Sequence, residues 1–170
     1  MKTINIILLL LLPVLGFSQI QKGSSYLSGD YSLIFGKNNS FSILPGYGFL
    51  VKDNLALGVN GGYSYSKRVG GNINIGSGGL FIERFFPLSD QFSFSLKGEV
   101  TIGWQNTLSQ KNTSYSIGVI PKIYFFPIEK IAITGSVGYL QLGYSNRDDL
   151  TLSSAGGNIQ LGIAVFFNRD

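Results

Sequence analysis

The sequence predicts an all-β protein, an eight-stranded antiparallel up-and-down transmembrane β-barrel, and three observations lead there. Residues 92–105, FSFSLKGEVTIGWQ, alternate apolar and polar groups without a break, and a sustained period of two is the mark of a strand with one greasy and one polar face. Similar segments recur along the chain between clusters of Gly, Asn, Asp, Ser and Pro, with no sustained helical period. Charged residues make up only 13% of the chain, against roughly 25% for an ordinary soluble domain, too few to cover a water-facing surface.

In the 92–105 strand, Phe92, Phe94, Leu96, Gly98, Val100, Ile102 and Trp104 share one face. Ser93, Ser95, Lys97, Glu99, Thr101, Gly103 and Gln105 share the other. Aromatic residues stand at both ends of the greasy face. From Phe94 to Trp104, residues rising roughly 3.3 Å each and tilted by about 40° climb about 25 Å, the height of the apolar band of a membrane barrel.

Residues 1–18 have the pattern of an export signal: Lys2 as a short positive region, an apolar run from Ile4 to Leu15, and small residues Gly16 and Ser18 before a cut at Gln19. The run is short and carries Pro13, which argues against a retained membrane helix. Residues 19–170 then suit one domain. The net charge of +4 falls by one with loss of Lys2, and the charges are scattered, so nucleic acid is not an expected partner. With no Cys there is no disulfide framework or thiolate site, and with no His the commonest metal ligand and general base is missing. No metal or other cofactor is expected.

Taken in order, the predicted strands are 23–35, 41–51, 55–66, 72–86, 92–105, 114–126, 131–144 and 151–167. In the first, Leu27, Tyr31, Leu33 and Phe35 oppose Ser28, Asp30 and Ser32. In the second, Phe41, Ile43, Pro45, Tyr47, Phe49 and Val51 share a face, and KDN makes a tight reversal into the third. There Leu55, Leu57, Val59, Gly61, Tyr63 and Tyr65 point outward and the small residues between them inward. The fourth has no readable parity, because Leu80 to Ile82 lacks a polar break, and its Gly76–Gly79 run suggests a bulge. PLSDQ turns into the fifth, and NTLSQKN is read as the loop before the sixth. The sixth groups Tyr115, Ile117, Val119, Pro121, Ile123 and Phe125, and PIEK leads to the seventh. An even total is what a bacterial single-chain barrel requires.

A hairpin-scale repeat supports a meander closed on itself. YGFLVKDNLALGVNGGYSY, RFFPLSDQFSFSLKGEVTIG and YFFPIEKIAITGSVGYLQLG share an aromatic pair, a short turn and a Gly-rich alternating strand, and AVFFNRD restates the first half. The aromatic pairs beside the short turns are read as one belt. Phe35, Phe41, Tyr63, Tyr65, Trp104 and Tyr115 form the other, and two belts frame a lipid-facing wall.

The runs PGYGFLVKDNLALGVNGGYSYSK and IPKIYFFPIEKIAITGSVG, with a leader ending GFSQ, resemble the small outer-membrane β-barrel domain proteins of double-membraned bacteria, similar in architecture to the OmpA and OmpX type. The resemblance spans nearly all of residues 19–170 and implies residence in the outer membrane. It also implies contact with outer-membrane lipid including lipopolysaccharide, insertion by the barrel-insertion machinery, and a monomer. The chain departs from the pattern at its end, where Asn168, Arg169 and Asp170 follow the aromatic Phe167.

A soluble lipocalin-like barrel would also alternate, with its apolar face inward and charges outside. Here the polar face is mostly Ser, Gly, Thr and Asn, small groups suited to a narrow lumen, so the membrane reading is preferred. The inward charges Asp30, Lys97, Glu99 and Lys122 are the candidate site. If Gln105 faces Ser114, Lys97 lies opposite Lys122 with Glu99 diagonal to it, giving a salt-bridged network in a filled lumen. Its two readings are a gate or proton path, and plain neutralisation of the core. Lys37, Lys67, Arg68, Lys111 and Arg147 fall at the predicted outer ends, where they are either lipopolysaccharide contacts or ordinary solvated loop cations. Asp148 and Asp149 lack the further oxygen ligands of a cation site.

Catalysis is not expected: a Ser–His pair is impossible without His, and no spacing proposes the Ser–Lys or carboxylate device that the composition still allows. The leading expectation is a structural or interaction barrel. A narrow pore, or a lipid-modifying or lipid-binding barrel, is the alternative.

Overall fold

The computed structural model describes residues 20–34, 40–68, 71–107, 110–145 and 151–168. The leader, Phe35, Lys37, Arg147, Asp148 and Asp149 lie outside the described residues. Eight strands follow one another: β1 Ser25–Ile34, β2 Ser40–Lys52, β3 Leu55–Arg68, β4 Gly71–Pro87, β5 Phe92–Thr107, β6 Gln110–Ile128, β7 Ile131–Ser145 and β8 Thr151–Phe167. Each pairs antiparallel with the next, and β1 closes on β8 from Ser25↔Phe167 to Tyr31↔Leu161. Closure leaves no sheet edge to be satisfied by solvent.

Alternation sorts the side chains. Leu27, Leu57, Val59, Val100, Ile117 and Ile163 stand exposed on the outside, and Leu80 reaches 66% exposure. So large an apolar surface is unfavourable in water and matched to hydrocarbon. Phe41, Tyr63, Trp104 and Tyr115 are exposed toward the end away from the short turns, and Tyr47, Phe49, Phe86, Phe92 and Phe167 toward the short-turn end. Trp104 lies over Gly76, its partner on β4, where any added Cβ would collide with the indole.

Four local expectations are corrected. The first concerns β4, which has no bulge at Gly76–Gly79: its register is unbroken from Leu55↔Arg84 to Arg68↔Gly71 on one side and from Asn74↔Asn106 to Pro87↔Ser93 on the other. Odd positions of β4 therefore point inward, burying Phe81, Glu83 and Phe85. Second, the irregularities lie elsewhere. The β6–β7 register slips between Val119 and Lys122 and the β7–β8 register between Val137 and Tyr139. Pro121 has no N–H for the ladder, and Gly138 adopts a φ of 77° that lacks a Cβ penalty. As a result Thr134 and Ser136 are buried in the interior below Gly138, and Tyr139 and Gln141 line it above.

Third, NTLSQKN is mostly strand, because β5 runs to Thr107 and β6 starts at Gln110. Fourth, the aromatic pairs at the short turns do not form one belt. Adjacent strand residues face opposite ways, so Phe86 and Phe167 join the wall, whereas Phe85, Tyr124, Phe126 and Phe166 are buried inside.

A strap formed by residues 20–24 crosses the short-turn end. The Ile20 N–H donates to Asn54 Oδ1 at 3.0 Å, the Asn54 N–H returns a bond to the Ile20 carbonyl, and the Phe85 N–H donates to the Asn54 carbonyl at 2.8 Å. Asn54 sits at φ 59°, a left-handed geometry that Asn tolerates better than most residues. These bonds seat Ile20, 1% exposed, against the barrel base. Asn54→Ala is expected to lower stability by about 1–2 kcal/mol, and Asn54→Gly, which keeps the backbone unstrained, by less. Urea unfolding midpoints followed by the shift between folded and unfolded bands on a gel check the order.

Candidate functional site

Inward side chains change size along the barrel axis, and this gradient builds the site. Near the short turns they are Tyr26, Leu50, Phe85, Tyr124, Phe126 and Phe166, all buried. Tyr26 stacks on Phe166 at 5.0 Å between centroids and meets Phe85 edge-on at 5.9 Å, while Phe85 meets Tyr124 edge-on at 5.2 Å. Glycines make room for the rings: a Cβ at Gly48 would strike the Tyr26 ring, and one at Gly58 the Phe81 ring. The result is an aromatic plug.

Within the plug lies Glu83, 1% exposed. Tyr26 donates its hydroxyl to Oε2 at 2.5 Å, and Ser95 and Tyr124 donate theirs to Oε1 at 2.6 and 2.8 Å. No Lys or Arg among the described residues forms an ion pair with it. A buried carboxylate without a cation is costly, and hydrogen bonds to a charged group, about 1.5–3 kcal/mol each, offset that cost.

Above the plug sit two ion pairs. Lys122 Nζ lies 2.6 Å from Asp30 Oδ2, and Thr134 donates to Asp30 Oδ1 at 3.2 Å. Lys97 Nζ lies 3.0 Å from Glu99 Oε2 and 4.5 Å from the centre of the Phe81 ring, and Asn60 Nδ2 donates to the same Glu99 oxygen at 2.8 Å. All four sequence-derived lumen charges therefore point inward, but not as one network. Gln105 faces Asn112 rather than Ser114, so Ser95 and not Lys97 stands opposite Lys122. Lys122 instead crosses the lumen to Asp30, and Lys97 pairs along its own strand.

The lumen, expected to be filled throughout, is packed only in its short-turn half. Toward the opposite end the inward positions are Ser64, Ser77, Thr101, Gly103, Ser114, Ser116 and Gly118, and a cavity of about 480 Å³ opens above the ion pairs. Of the expected rim cations, Lys67 is exposed at the loop end of β3, and Arg68 and Lys111 occupy the loop ends of β3 and β6.

Glu83 is the member of the site that sequence reasoning left unassigned. A signal was available: Tyr26 shares the parity of Ser28 and Asp30, Tyr124 that of Lys122, and two inward phenols require an acceptor.

The fold matches solved outer-membrane barrels. Neisserial surface protein A superposes with a TM-score of 0.62 at 15% identity, covering 85% of this chain and 96% of that one. The N-terminal β-barrel domain of Pseudomonas aeruginosa OprF gives 0.53 at 13% identity, over 86% and 98%. Yersinia pestis outer membrane protein Ail gives 0.50 at 16% identity, over 86% and 100%. No protein-family model matches the chain, and neither does any curated protein sequence. The chain thus has the fold of the small eight-stranded outer-membrane β-barrels.

Breaking the Asp30–Lys122 pair from one side leaves a buried charge unmatched. Asp30→Leu or Lys122→Met alone is expected to cost about 3–5 kcal/mol, and the double variant to recover most of that loss. A double-mutant cycle on urea unfolding in micelles measures it.

Proposed function

We propose that this chain is an integral outer-membrane protein with a structural or interaction role and a lumen that ends blind. The observation that carries the reading is the closed barrel whose exposed wall is apolar between two aromatic girdles. A wall of this kind suits a hydrocarbon layer, with the girdles at the headgroups. The rim away from the short turns faces outward in this reading, and the exposed Lys67 at the end of β3 meets the phosphates of lipopolysaccharide, with Arg68 and Lys111 placed at the same ends of β3 and β6. The strands are laid down by the barrel-insertion machinery, and the protein acts as a monomer.

The plug argues against the pore reading. Solute passing along the axis would have to displace Tyr26, Phe85, Tyr124 and Phe166, which are packed on one another and anchored through Glu83. Two measurements test the proposal. The protein is expected in the outer-membrane fraction, with different gel mobility before and after boiling; recovery as a soluble periplasmic protein overturns the reading. In planar bilayers the wild type is expected to give no discrete conductance, and Phe85→Ala/Tyr124→Ala to introduce steps. Wild-type steps of the same size overturn the blind lumen.

A further inference from the structure

We infer that the cavity above the ion pairs is a binding site for a small neutral polyhydroxylated molecule, of monosaccharide to disaccharide size. The inference rests on the lumen ending blind, since a through-channel would pass such a molecule instead of holding it. At about 480 Å³ the cavity falls within the roughly 300–1,000 Å³ of small-molecule sites. It has a built floor and a built wall. Asp30, 8% exposed, and Lys122, 4% exposed, form the floor with Lys97 and Glu99.

The chemistry of the lining selects the ligand. The floor carries two cations and two anions already paired at 2.6 and 3.0 Å, so it presents no net charge for an ion to seek. An anion or a zwitterion would have to part a buried pair and leave charges unmatched, which disfavours both. The wall carries Ser77, Thr101, Ser114 and Ser116, with the amides Asn60, Gln141 and Gln160, beside the aliphatic Leu44, Ile75, Ile120 and Leu140. Hydroxyls and amides both give and accept hydrogen bonds, which matches a molecule whose own groups do the same, and the aliphatic residues suit the C–H surface of a sugar.

Two details add to this. The Thr101 Oγ1 is buried in the wall and finds no hydrogen-bond partner among the described residues. Among the described residues the hydroxyls of Ser28, Ser114 and Ser136 make long bonds of 3.4–3.5 Å to Gly46, Gly103 and Gln160, so a ligand that offers better geometry gains by capturing them. Tyr139 also lines the cavity.

The test uses the protein extracted from the membrane and labelled with nitrogen-15, in micelles, titrated with glucose and sucrose. Glucose 6-phosphate and glycine betaine serve as charged and zwitterionic counterparts. The expected result is a saturable change in the amide signals of Ser77, Thr101, Ser116 and Gln141 with a neutral sugar, and at least a tenfold weaker response to both counterparts. Ser116→Leu, which fills the cavity, is expected to abolish the change while keeping the gel shift between unboiled and boiled samples. Ser77→Leu fills it from β4, two strands away, and replaces Ser116→Leu if that variant does not fold. The proposal is overturned if no neutral sugar gives a saturable change, if the changes persist in the filled variants, or if the charged probes bind better. Conductance of the same preparation is read separately: steps without sugar binding overturn both readings, and silence without sugar binding overturns the site alone.

Discussion

The rest of this structure depends on one constraint: a backbone in hydrocarbon must satisfy its own hydrogen bonds. Pairing β1 with β8 meets it by removing the edge of the sheet. Once the sheet is closed, a strand residue faces either the wall or the lumen, and in regular stretches its neighbour faces the other way. Apolar residues can then stand outside without aggregating in water, and polar ones are forced into a lumen barely wider than their side chains.

That narrow lumen explains why the interior is graded. Where inward residues are Tyr and Phe they fill it, and glycines such as Gly48 and Gly58 yield the space the rings occupy. Where inward residues are Ser, Gly and Thr they leave a cavity. Two ion pairs lie between the two regimes and one carboxylate lies within the plug, and each is held differently according to what surrounds it. Asp30 and Lys122 are paired across the lumen, Lys97 and Glu99 along one strand, and Glu83 is held by three hydroxyls inside the plug. The plug and its carboxylate depend on each other: the phenols need an acceptor once buried, and the carboxylate needs donors in place of water.

Much of the architecture was legible because a period of two needs only local information. The faces of β2, β3, β5 and β6 follow directly from residues such as Tyr47, Val59, Leu96 and Ile117, and the number of strands follows from the turn clusters between them. Reading failed where the local pattern was silent. The run Leu80–Ile82 offers no polar residue to set parity, so Glu83 had no assigned side, and the paired phenylalanines at the short turns look alike although successive side chains must part company.

The sequence by itself determined the class of fold, the outward faces of most strands and the inward side of Asp30, Lys97, Glu99 and Lys122, since alternation, composition and turn chemistry are written residue by residue. Only the tertiary structure decided which charges meet, because register is a relation between strands. Gln105 facing Asn112 shifts Lys97 away from Lys122. Closure of the barrel brings β1 within reach of β6 across the lumen, so Asp30 and Lys122 pair although far apart in the chain. The same closure gathers Tyr26, Ser95 and Tyr124 around Glu83, and it leaves the cavity above them where small residues from separate strands converge.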